Sequence, residues 1–259
     1  MDDTVYGKTE LMVIEASRYI KDGEIVFTGV GLPVIAATLA QKRHAPNMTI
    51  IVESGVVDPQ LELVPLSIAD SKIMRKAAML GSLREVVGCI LQRGMVDVGF
   101  LGAAQIDQYA NLNATVIGDY YKPKVRFPGS GGANPIASHA KRLLIITPHQ
   151  ERRFVEKVDY ITSPGYIDGP SGRENAGLRN RHPGITIITD LCVMGIDSTL
   201  GKLRLLKLMP GATVEQVVEK TAFELIMAPQ VDVVDLPTES ELSLLREIDP
   251  EGIYFQVKE

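Results

Sequence analysis

The sequence predicts an α/β fold in which an open, mostly parallel sheet is flanked by helices. The first observation is the order strand, glycine-rich turn, helix and strand between Glu24 and Val52, which is the pattern of a parallel βαβ unit. The second is composition: 45% of the 259 residues are apolar, enough to fill a sizeable core. One large domain over residues 1–259, or two tightly fused ones, is therefore expected.

Individual elements follow from apolar spacing and from breaker residues. The spacing of Leu11, Met12, Ile14 and Ile20 predicts an amphipathic helix, and Asp22-Gly23 ends it. Polar, glycine- and proline-rich loops over 103–135 and 163–183 are candidates to carry function. The predicted helices are 9–20, 33–42, 82–91, 213–223 and 239–248, and the predicted strands are 24–28, 48–52, 95–101, 142–147, 157–162 and 185–189.

Charge and hydropathy exclude several classes of protein. The net charge is -5 and the isoelectric point is near 5.5. A surplus of Lys and Arg is missing, so neither a nucleic acid nor an anionic membrane is expected as a partner. The chain begins without a basic, apolar leader, and no segment approaches eighteen uninterrupted apolar residues. A cytoplasmic protein is expected.

Cysteine and histidine patterns do not predict a metal site. Cys89 and Cys192 are each flanked by aliphatic residues, which favours buried small side chains over a disulfide or a metal pair. The four histidines show no metal-ligand spacing, so surface or capping roles are expected for them. No metal cofactor is therefore predicted.

Glu53 is the most informative single position. It follows the aliphatic run Ile50-Ile51-Val52 and precedes Ser54-Gly55. A charged side chain at the end of a buried strand is costly to desolvate. The residues alone allow two interpretations: a strand-end Glu that pairs with an arginine or caps a helix, or a general base or nucleophile beside a glycine that leaves room for a substrate.

A second candidate is the loop Phe127-Pro128-Gly129-Ser130-Gly131-Gly132-Ala133-Asn134-Pro135, which runs into a predicted helix start. Successive backbone N–H groups in such a loop can bind an anion or an oxyanion, although a flexible connection is an equal alternative. The loop lacks the ending of a P-loop and the spacing of a dinucleotide fingerprint. Ser54 lacks the surroundings of a hydrolase nucleophile, and Arg152-Arg153 and Arg179–Arg181 are expected to be solvated or ion-paired.

Several segments together resemble one family. Ile51-Val52-Glu53-Ser54-Gly55 resembles the glutamate-serine-glycine signature of the B subunits of glutaconate CoA-transferase and related family I CoA-transferases. Further similar motifs follow in the same order, from about residue 10 to the C-terminus, and the resemblance weakens between Asp58 and Gly94. They include Gly31-Leu32-Pro33, Gly102-Ala103-Ala104-Gln105-Ile106-Asp107, Asn111-Leu112-Asn113, Gly129-Ser130-Gly131-Gly132-Ala133-Asn134 and Val158-Asp159-Tyr160-Ile161-Thr162-Ser163-Pro164-Gly165.

The resemblance implies the family I CoA-transferase fold, a homologous A subunit in a hetero-oligomer, and a ping-pong reaction between an acyl-CoA and a carboxylic acid, dicarboxylic and glutaconate-like. Coenzyme A is then a substrate carried as a thioester on Glu53, the implied nucleophile. The backbone of Gly131, Gly132 and Ala133 is implied to stabilise the oxyanion. The implied substrate and CoA contacts are Gly31, Ser54, Gly55, Gln105, Gly129, Ser130 and Asn134.

Three alternatives remain at this point. Relatives of the same fold hydrolyse a ring-opened steroid CoA ester or decarboxylate a glutaconyl-type CoA ester, and these relatives differ at the signature glutamate. The retained Glu53 favours transfer, although a glutamate could also serve a hydrolase as general base. A non-catalytic subunit that only binds acyl-CoA is the third alternative, and the intact Glu-Ser-Gly and Gly-Ser-Gly-Gly motifs count against it.

Overall fold

The computed structural model describes residues 6–255. Within this range the chain forms two compact units, residues 6–100 with 235–255 and residues 101–234. The helices are α1 (Lys8–Arg18), α2 (Leu32–Arg43), α3 (Ala133–His139), α4 (Gly172–Asn175), α5 (Val214–Glu219) and α6 (Glu239–Ile248). The longer strands are β1 (Ile25–Thr28), β2 (Thr49–Val52), β5 (Val98–Leu101), β9 (Pro123–Arg126), β10 (Arg142–Ile146), β11 (Gly184–Ile188), β12 (Cys192–Asp197), β13 (Lys202–Leu208) and β14 (Ile226–Val233).

Five short strands complete the described set, namely β3 (Val56–Val57), β4 (Met79–Leu80), β6 (Gln105–Ile106), β7 (Leu112–Asn113) and β8 (Val116–Gly118). A 3-10 turn occupies Ser71–Met74, and a π-helical segment occupies Arg84–Leu91. The predicted helix over 82–91 therefore exists, but its hydrogen bonding is wider than that of an α-helix.

The first unit contains the predicted βαβ pattern. Its strands lie in the order β5-β1-β2-β3-β4, and β1 pairs in parallel with both β2 and β5. The strand residues Val26, Phe27, Ile50 and Ile51 are almost completely buried, which explains their unbroken aliphatic sequence. The short strands β3 and β4 add antiparallel pairs at one edge.

The helices of this unit are held together by a buried carboxylate as well as by apolar packing. Helix α2 packs against α1 and α6. Glu241 of α6 accepts hydrogen bonds from Nε and Nη2 of Arg18 at 3.0 and 2.8 Å, and its other ion pair is with Arg43 at 3.2 Å. Because Glu241 is almost fully buried, these two arginines neutralise a charge that would otherwise be costly.

The second unit has strands in the order β14-β13-β12-β11-β10. The pairs β10–β11 and β13–β14 are parallel, whereas β12 runs antiparallel to both of its neighbours. Two small hairpins, β6–β7 and β8–β9, lie outside this order. The predicted class, an open and mostly parallel α/β sheet flanked by helices, is confirmed. The prediction of a single domain over 1–259 stays a prediction.

Several local expectations were wrong. Residues 157–162 do not form a strand, and β12, β13 and β14 were not predicted. Cys89 is exposed rather than buried, whereas Cys192 is buried as expected. Burial raises the pKa of the Cys192 thiol to about 12, so it is protonated and inert at neutral pH. His149 is buried, not a surface or capping residue.

Candidate active site

Glu53 lies directly after β2, at the carboxyl end of the strand. Val52, the last residue of β2, pairs with Thr28, the last residue of β1. The glycine turn that leads into α2 follows β1, and its Gly31 has a φ of +96°. Glu53 and Gly31 therefore follow two neighbouring strands at one edge of the sheet, which is where open α/β proteins bind ligands.

A tight turn sets the position of the Glu53 side chain. The N–H of Gly55 donates to the carbonyl of Val52 at 3.0 Å, so Glu53 and Ser54 occupy the two central turn positions. Glu53 is half-buried, whereas Ile50, Ile51 and Val52 before it are almost fully buried. The carboxylate thus stands at the rim of a rigid strand. The prediction that Glu53 ends a buried strand is confirmed.

Gly55 is required for a reason that the sequence did not indicate. Its φ is +110°, and a Cβ at this position would lie 2.2 Å from the carbonyl oxygen of Gly81. The N–H of Gly81 donates to the carbonyl of Gly55 at 2.9 Å. The missing side chain therefore makes room for the backbone at Gly81, and the expectation that it also makes room for a substrate stays a prediction.

Ser54 contributes a buried hydroxyl next to Glu53. Its Oγ is inaccessible to solvent and has no hydrogen-bond partner among residues 6–255. An unsatisfied buried hydroxyl costs about 1 to 3 kcal/mol, so a polar group without a partner at this position is unusual.

The glycine-rich loop precedes α3 in the second unit. The N–H of Gly129 donates to the carbonyl of Ala114 at 3.0 Å, and the N–H of Ala133 donates to the carbonyl of Ser130 at 2.7 Å. The N–H of Ala133 is therefore engaged within the loop, which corrects the expectation that it binds an oxyanion. The N–H groups of Ser130 and Gly131, by contrast, have no acceptor within the described part of the chain.

Asn134 stabilises this loop from its other end. Its N–H donates to the Oγ of Ser130 at 3.0 Å, and its side-chain amide donates to the carbonyl of Thr162 at 3.0 Å. The loop conformation that leaves the N–H of Gly131 unengaged is thus fixed by hydrogen bonds before any ligand binds.

Gln105 is largely satisfied by protein groups. Its Oε1 accepts from Nδ2 of Asn113 at 2.7 Å and from the N–H of Asp159 at 3.0 Å, and its Nε2 donates to Oδ2 of Asp159 at 3.0 Å. One N–H of its amide remains available, since a primary amide has two. Gln105 therefore links neighbouring loops through its hydrogen bonds, and its role as a substrate contact stays a prediction.

Sequence reasoning missed Arg173, whose side chain is fully buried. It donates to the carbonyls of Asn180, Pro164, Gly165 and Ala137 at 2.7 to 2.9 Å. Burial lowers the pKa of its guanidinium to about 10, which still leaves it charged at neutral pH. No motif distinguishes Arg173 from the neighbouring surface arginines in the sequence.

Asp107 and Asn111, which lie in two of the motifs, form a second buried polar network. The carboxylate of Asp107 accepts from the N–H groups of Tyr109 and Asn111 and from Nδ2 of Asn111, at 3.0 to 3.1 Å. Oδ1 of Asn111 accepts from the N–H groups of Gly165 and Ile167 at 3.0 Å. Burial raises the pKa of Asp107. These motif residues thus stabilise loops.

A cavity of about 600 Å³ opens in the second unit. Its apolar walls consist of Ala103, Ala104, Ala114, Ile117, Val125 and Phe127, and its polar groups come from Gln105, Arg152 and Arg153. Ala114 also binds the glycine-rich loop through its carbonyl, so this wall continues into that loop. Arg152 is exposed as predicted, whereas Arg153 is half-buried.

The structure thus brings the predicted residues together in two groups. Gly31 and Glu53–Gly55 belong to the first unit, and Gln105 and Gly129–Asn134 belong to the second. Within residues 6–255, no group of three or more His, Cys, Asp or Glu side chains is arranged to hold a metal ion. No helix in that range is long and apolar enough to cross a membrane.

Comparison with known proteins gives consistent relatives over nearly the whole chain. The chain is 43% identical over 246 residues to the B subunit of 3-oxoadipate CoA-transferase from Pseudomonas knackmussii, covering 95% of this chain and 94% of the relative. It is 38% identical over 261 residues to the B subunit of glutaconate CoA-transferase from Acidaminococcus fermentans, covering 99% and 97%.

Solved structures give the same result. The crystal structure of glutaconate coenzyme A-transferase from Acidaminococcus fermentans matches with a TM-score of 0.92, covering 99% of this chain and 100% of that chain at 38% identity. The decarboxylase AibA/AibB matches with a TM-score of 0.83 at 28% identity, covering 96% and 97%. The family model described as coenzyme A transferase matches residues 9–220. The chain belongs to the coenzyme A transferase family.

Proposed function

We propose that this chain is the B-type subunit of a CoA-transferase that moves CoA between an acyl-CoA and a dicarboxylic acid, through a thioester on Glu53. The position of Glu53 carries the proposal: it is a half-buried carboxylate on a rigid turn at the ligand-binding edge of the sheet. The glutaconate and 3-oxoadipate transferases among its relatives support a dicarboxylic acid as the substrate class. The cytoplasm remains the compartment that we predict.

A carboxylate nucleophile suits this reaction because it conserves the free energy of the thioester. Carboxylates are ionised at neutral pH and need no base for activation. Attack of Glu53 on an acyl-CoA expels CoA thiolate and gives a mixed anhydride. The thiolate then attacks the glutamyl carbonyl, which releases the first acid and leaves CoA on Glu53. The acceptor acid reverses these steps. A serine ester would be too stable to regenerate a thioester.

Each step passes through a tetrahedral oxyanion, and one preorganised donor can contribute about 3 to 4 kcal/mol to its stabilisation. We assign this role to the N–H of Gly131, with Ser130 as the second donor in place of Ala133. Two features support the assignment: the loop is fixed by its own hydrogen bonds, and these two N–H groups are without an acceptor among the described residues.

The active enzyme is proposed to contain a homologous A subunit. The names of both transferase relatives identify them as B subunits. In addition, large apolar side chains are exposed along the segment 63–83, where Leu63, Leu66, Leu80 and Leu83 are 46 to 61% accessible. Such clusters favour a surface that a partner covers, and we assign this one to the A subunit.

The two enzymatic alternatives are less well supported. Identity to the decarboxylase structure is 28%, against 38 and 43% for the two transferases. The glutamate of the signature, which a hydrolase or a decarboxylase would not need as a nucleophile, is retained as Glu53. A purely acyl-CoA-binding subunit would need neither Glu53 nor a preorganised loop.

Replacement of Glu53 tests the proposal. With the A subunit present, Glu53→Gln is expected to reduce CoA transfer by at least about a thousandfold, since the amide cannot form the anhydride. Glu53→Asp, which keeps the carboxylate one methylene short, is the matched control for charge. Gel filtration should show unchanged assembly in both variants. Transfer by Glu53→Gln at a near-normal rate would assign the nucleophile elsewhere.

A further inference from the structure

The cavity of the second unit contains two arginines that no carboxylate of the described residues neutralises. Arg152 and Arg153 both line it, and neither forms an ion pair with an Asp or Glu among residues 6–255. The surface arginines Arg75, Arg181 and Arg204, by contrast, each pair with a carboxylate. An adjacent pair of uncompensated guanidinium groups creates a strong positive potential beside apolar walls.

Hydrogen bonds fix both side chains without using all of their donors. Oε1 of Gln150 accepts from Nε of Arg152 at 2.9 Å and from Nε of Arg153 at 3.4 Å. Nη1 of Arg153 donates to the carbonyl of Ala103 at 2.5 Å. The Nη2 group of Arg153 and both terminal nitrogens of Arg152 have no acceptor in the part of the chain that the structure describes. These nitrogens are therefore available to donate hydrogen bonds to an anion.

The electrostatic environment of Arg153 favours the binding of an anion. Burial lowers its pKa, and the adjacent charge of Arg152 lowers it further. Both effects mean that the free protein holds this guanidinium at a cost. A bound carboxylate would remove that cost, because it forms charge-assisted hydrogen bonds with a guanidinium.

The position of the cavity indicates which anion it takes. Ala114 in its wall accepts a hydrogen bond from Gly129, and Phe127 in its wall begins the loop that carries Gly131. If the oxyanion lies at Gly131, the rest of a short acyl group can extend along this wall. The free carboxylate of a short diacid lies only a few carbon atoms from the reacting carbonyl, whereas the phosphates of CoA lie a full pantetheine arm away.

We propose that Arg152 and Arg153 bind the free carboxylate of the dicarboxylic acyl group, while Ile117, Val125 and Phe127 contact its hydrocarbon chain. This inference rests on the proposed function, because it takes the acyl carbonyl to lie at the glycine-rich loop. It assigns to these two arginines the selection of dicarboxylic over monocarboxylic acids of the same length.

Steady-state kinetics of the assembled two-subunit enzyme tests this assignment. Acetyl-CoA is the donor, and glutarate and pentanoate, which have equal chain length, are the acceptors. Arg152→Gln and Arg153→Gln are each expected to raise the KM for glutarate about tenfold or more, the loss of one charge-assisted contact. The KM for pentanoate and the KM for acetyl-CoA should change less than about twofold. Arg181→Gln, an exposed arginine outside the cavity, is the control and should change none of them.

Three results would contradict the assignment. Equal KM increases for glutarate and pentanoate would mean that the arginines do not bind the second carboxylate. An increase in the KM for acetyl-CoA would mean that they bind the phosphates of CoA. If a variant fails to assemble, the wild-type enzyme still tests the assignment. Equal kcat/KM for pentanoate and glutarate would exclude a site that selects for the second carboxylate. A wild-type enzyme that transfers CoA to neither acid, and forms no thioester on Glu53, would refute the proposed function instead.

Discussion

At the scale of single residues, the turn after β2 shows how one glycine determines the position of the proposed nucleophile. Gly55 accepts the left-handed φ of +110° and allows the backbone of Gly81 to pack against it. The resulting turn places Glu53 one residue beyond β2, a buried strand that runs parallel to β1. The position of the carboxylate is therefore a property of the backbone.

Replacement of Gly55 by alanine should be strongly destabilising. The new Cβ would lie 2.2 Å from the carbonyl oxygen of Gly81 in a backbone conformation that disfavours side chains. We expect a loss of about 2 to 4 kcal/mol in the free energy of unfolding. Gly88→Ala is the control, because among the described residues no atom other than the neighbouring backbone of its own helix and chain lies within 4 Å of the new Cβ. Urea denaturation that gives equal values for both variants would contradict this explanation.

The sequence allowed Glu53 to be predicted, but it did not reveal which loop N–H groups are available. Glu53 could be predicted because a buried strand appears in the sequence as a run of aliphatic residues, and the charged residue after that run marks its end. The hydrogen bond from the N–H of Ala133 to the carbonyl of Ser130 depends on the backbone angles of the loop. Four neighbouring small residues allow many such angles, so the sequence does not determine them. Ser130 therefore replaces Ala133 in the proposed oxyanion site.

At the scale of elements, a single buried arginine connects several loops. Arg173 of α4 donates to carbonyls at 137, at 164 and 165, and at 180. These carbonyls belong to the end of α3 and to two loop segments. The loops around the glycine-rich segment thus depend on one guanidinium group.

Arg173→Met should therefore destabilise the second unit. The variant keeps much of the volume but leaves four carbonyl groups without their donor, and we expect a loss of about 3 to 5 kcal/mol. Arg181→Met, which removes a solvent-exposed ion pair with Glu174, should lose less than about 1 kcal/mol. Thermal unfolding of both variants provides the measurement. A near-neutral Arg173→Met would show that these carbonyls find other donors.

The predictions of helices and strands were correct where the spacing of apolar residues and the positions of glycine and proline indicate the same element. The first βαβ unit was located to within a few residues because aliphatic strands, a glycine turn and a proline at the helix start all agree. The strand predicted over 157–162 was wrong. There the N–H of Asp159 donates to the side chain of Gln105, and the N–H of Thr162 donates to the carbonyl of Leu112, so no ladder forms.

Strand β13 was missed although its sequence contains a signal. Along Lys202–Leu206 the buried residues alternate with less buried ones, as in a strand with one covered face. The turn before it contains Gly201 with a φ of +65°. Attention to period-two alternation after this glycine would have predicted β13 and with it the antiparallel partner β12.

At the scale of the whole molecule, two buried titratable groups predict sensitivity to acid. Burial, with a smaller contribution from Lys220, lowers the pKa of His149 to about 4, below its ordinary value of 6.5. His149 stacks on Phe154 at 4.1 Å and contacts the hydroxyl of Thr221 at 3.0 Å. The pKa of Glu241 falls to about 2, because hydrogen bonds and charge from Arg18, with Thr238, outweigh the burial that raises it.

Both groups lower the stability of the fold as the pH falls. Between pH 6.5 and about 4 the unfolded state binds a proton at His149 that the folded state does not, so stability falls as the pH is lowered. Glu241 stabilises the fold above pH 4.5, and this contribution is lost as the pH falls toward about 2. For His149 this difference changes the free energy of unfolding by up to about 3 kcal/mol.

Denaturation as a function of pH tests this expectation. Stability measured by urea unfolding should fall between pH 6.5 and 4, and His149→Gln should flatten this part of the curve. Glu241→Gln should be less stable at neutral pH and should flatten the part below pH 4.5. A wild-type stability that stays constant from pH 7 to pH 4 would contradict the assignment of a buried neutral imidazole.

In the proposed reaction Glu53 carries CoA as a covalent thioester, and the whole reaction depends on this adduct. The decisive measurement is mass spectrometry of the assembled enzyme after incubation with acyl-CoA and no acceptor acid. We predict that CoA is attached to the peptide that contains Glu53, that borohydride reduces this thioester, and that an acceptor acid removes the adduct. A Glu53 peptide that stays unmodified under conditions in which the enzyme turns over acyl-CoA would contradict the covalent role of this residue.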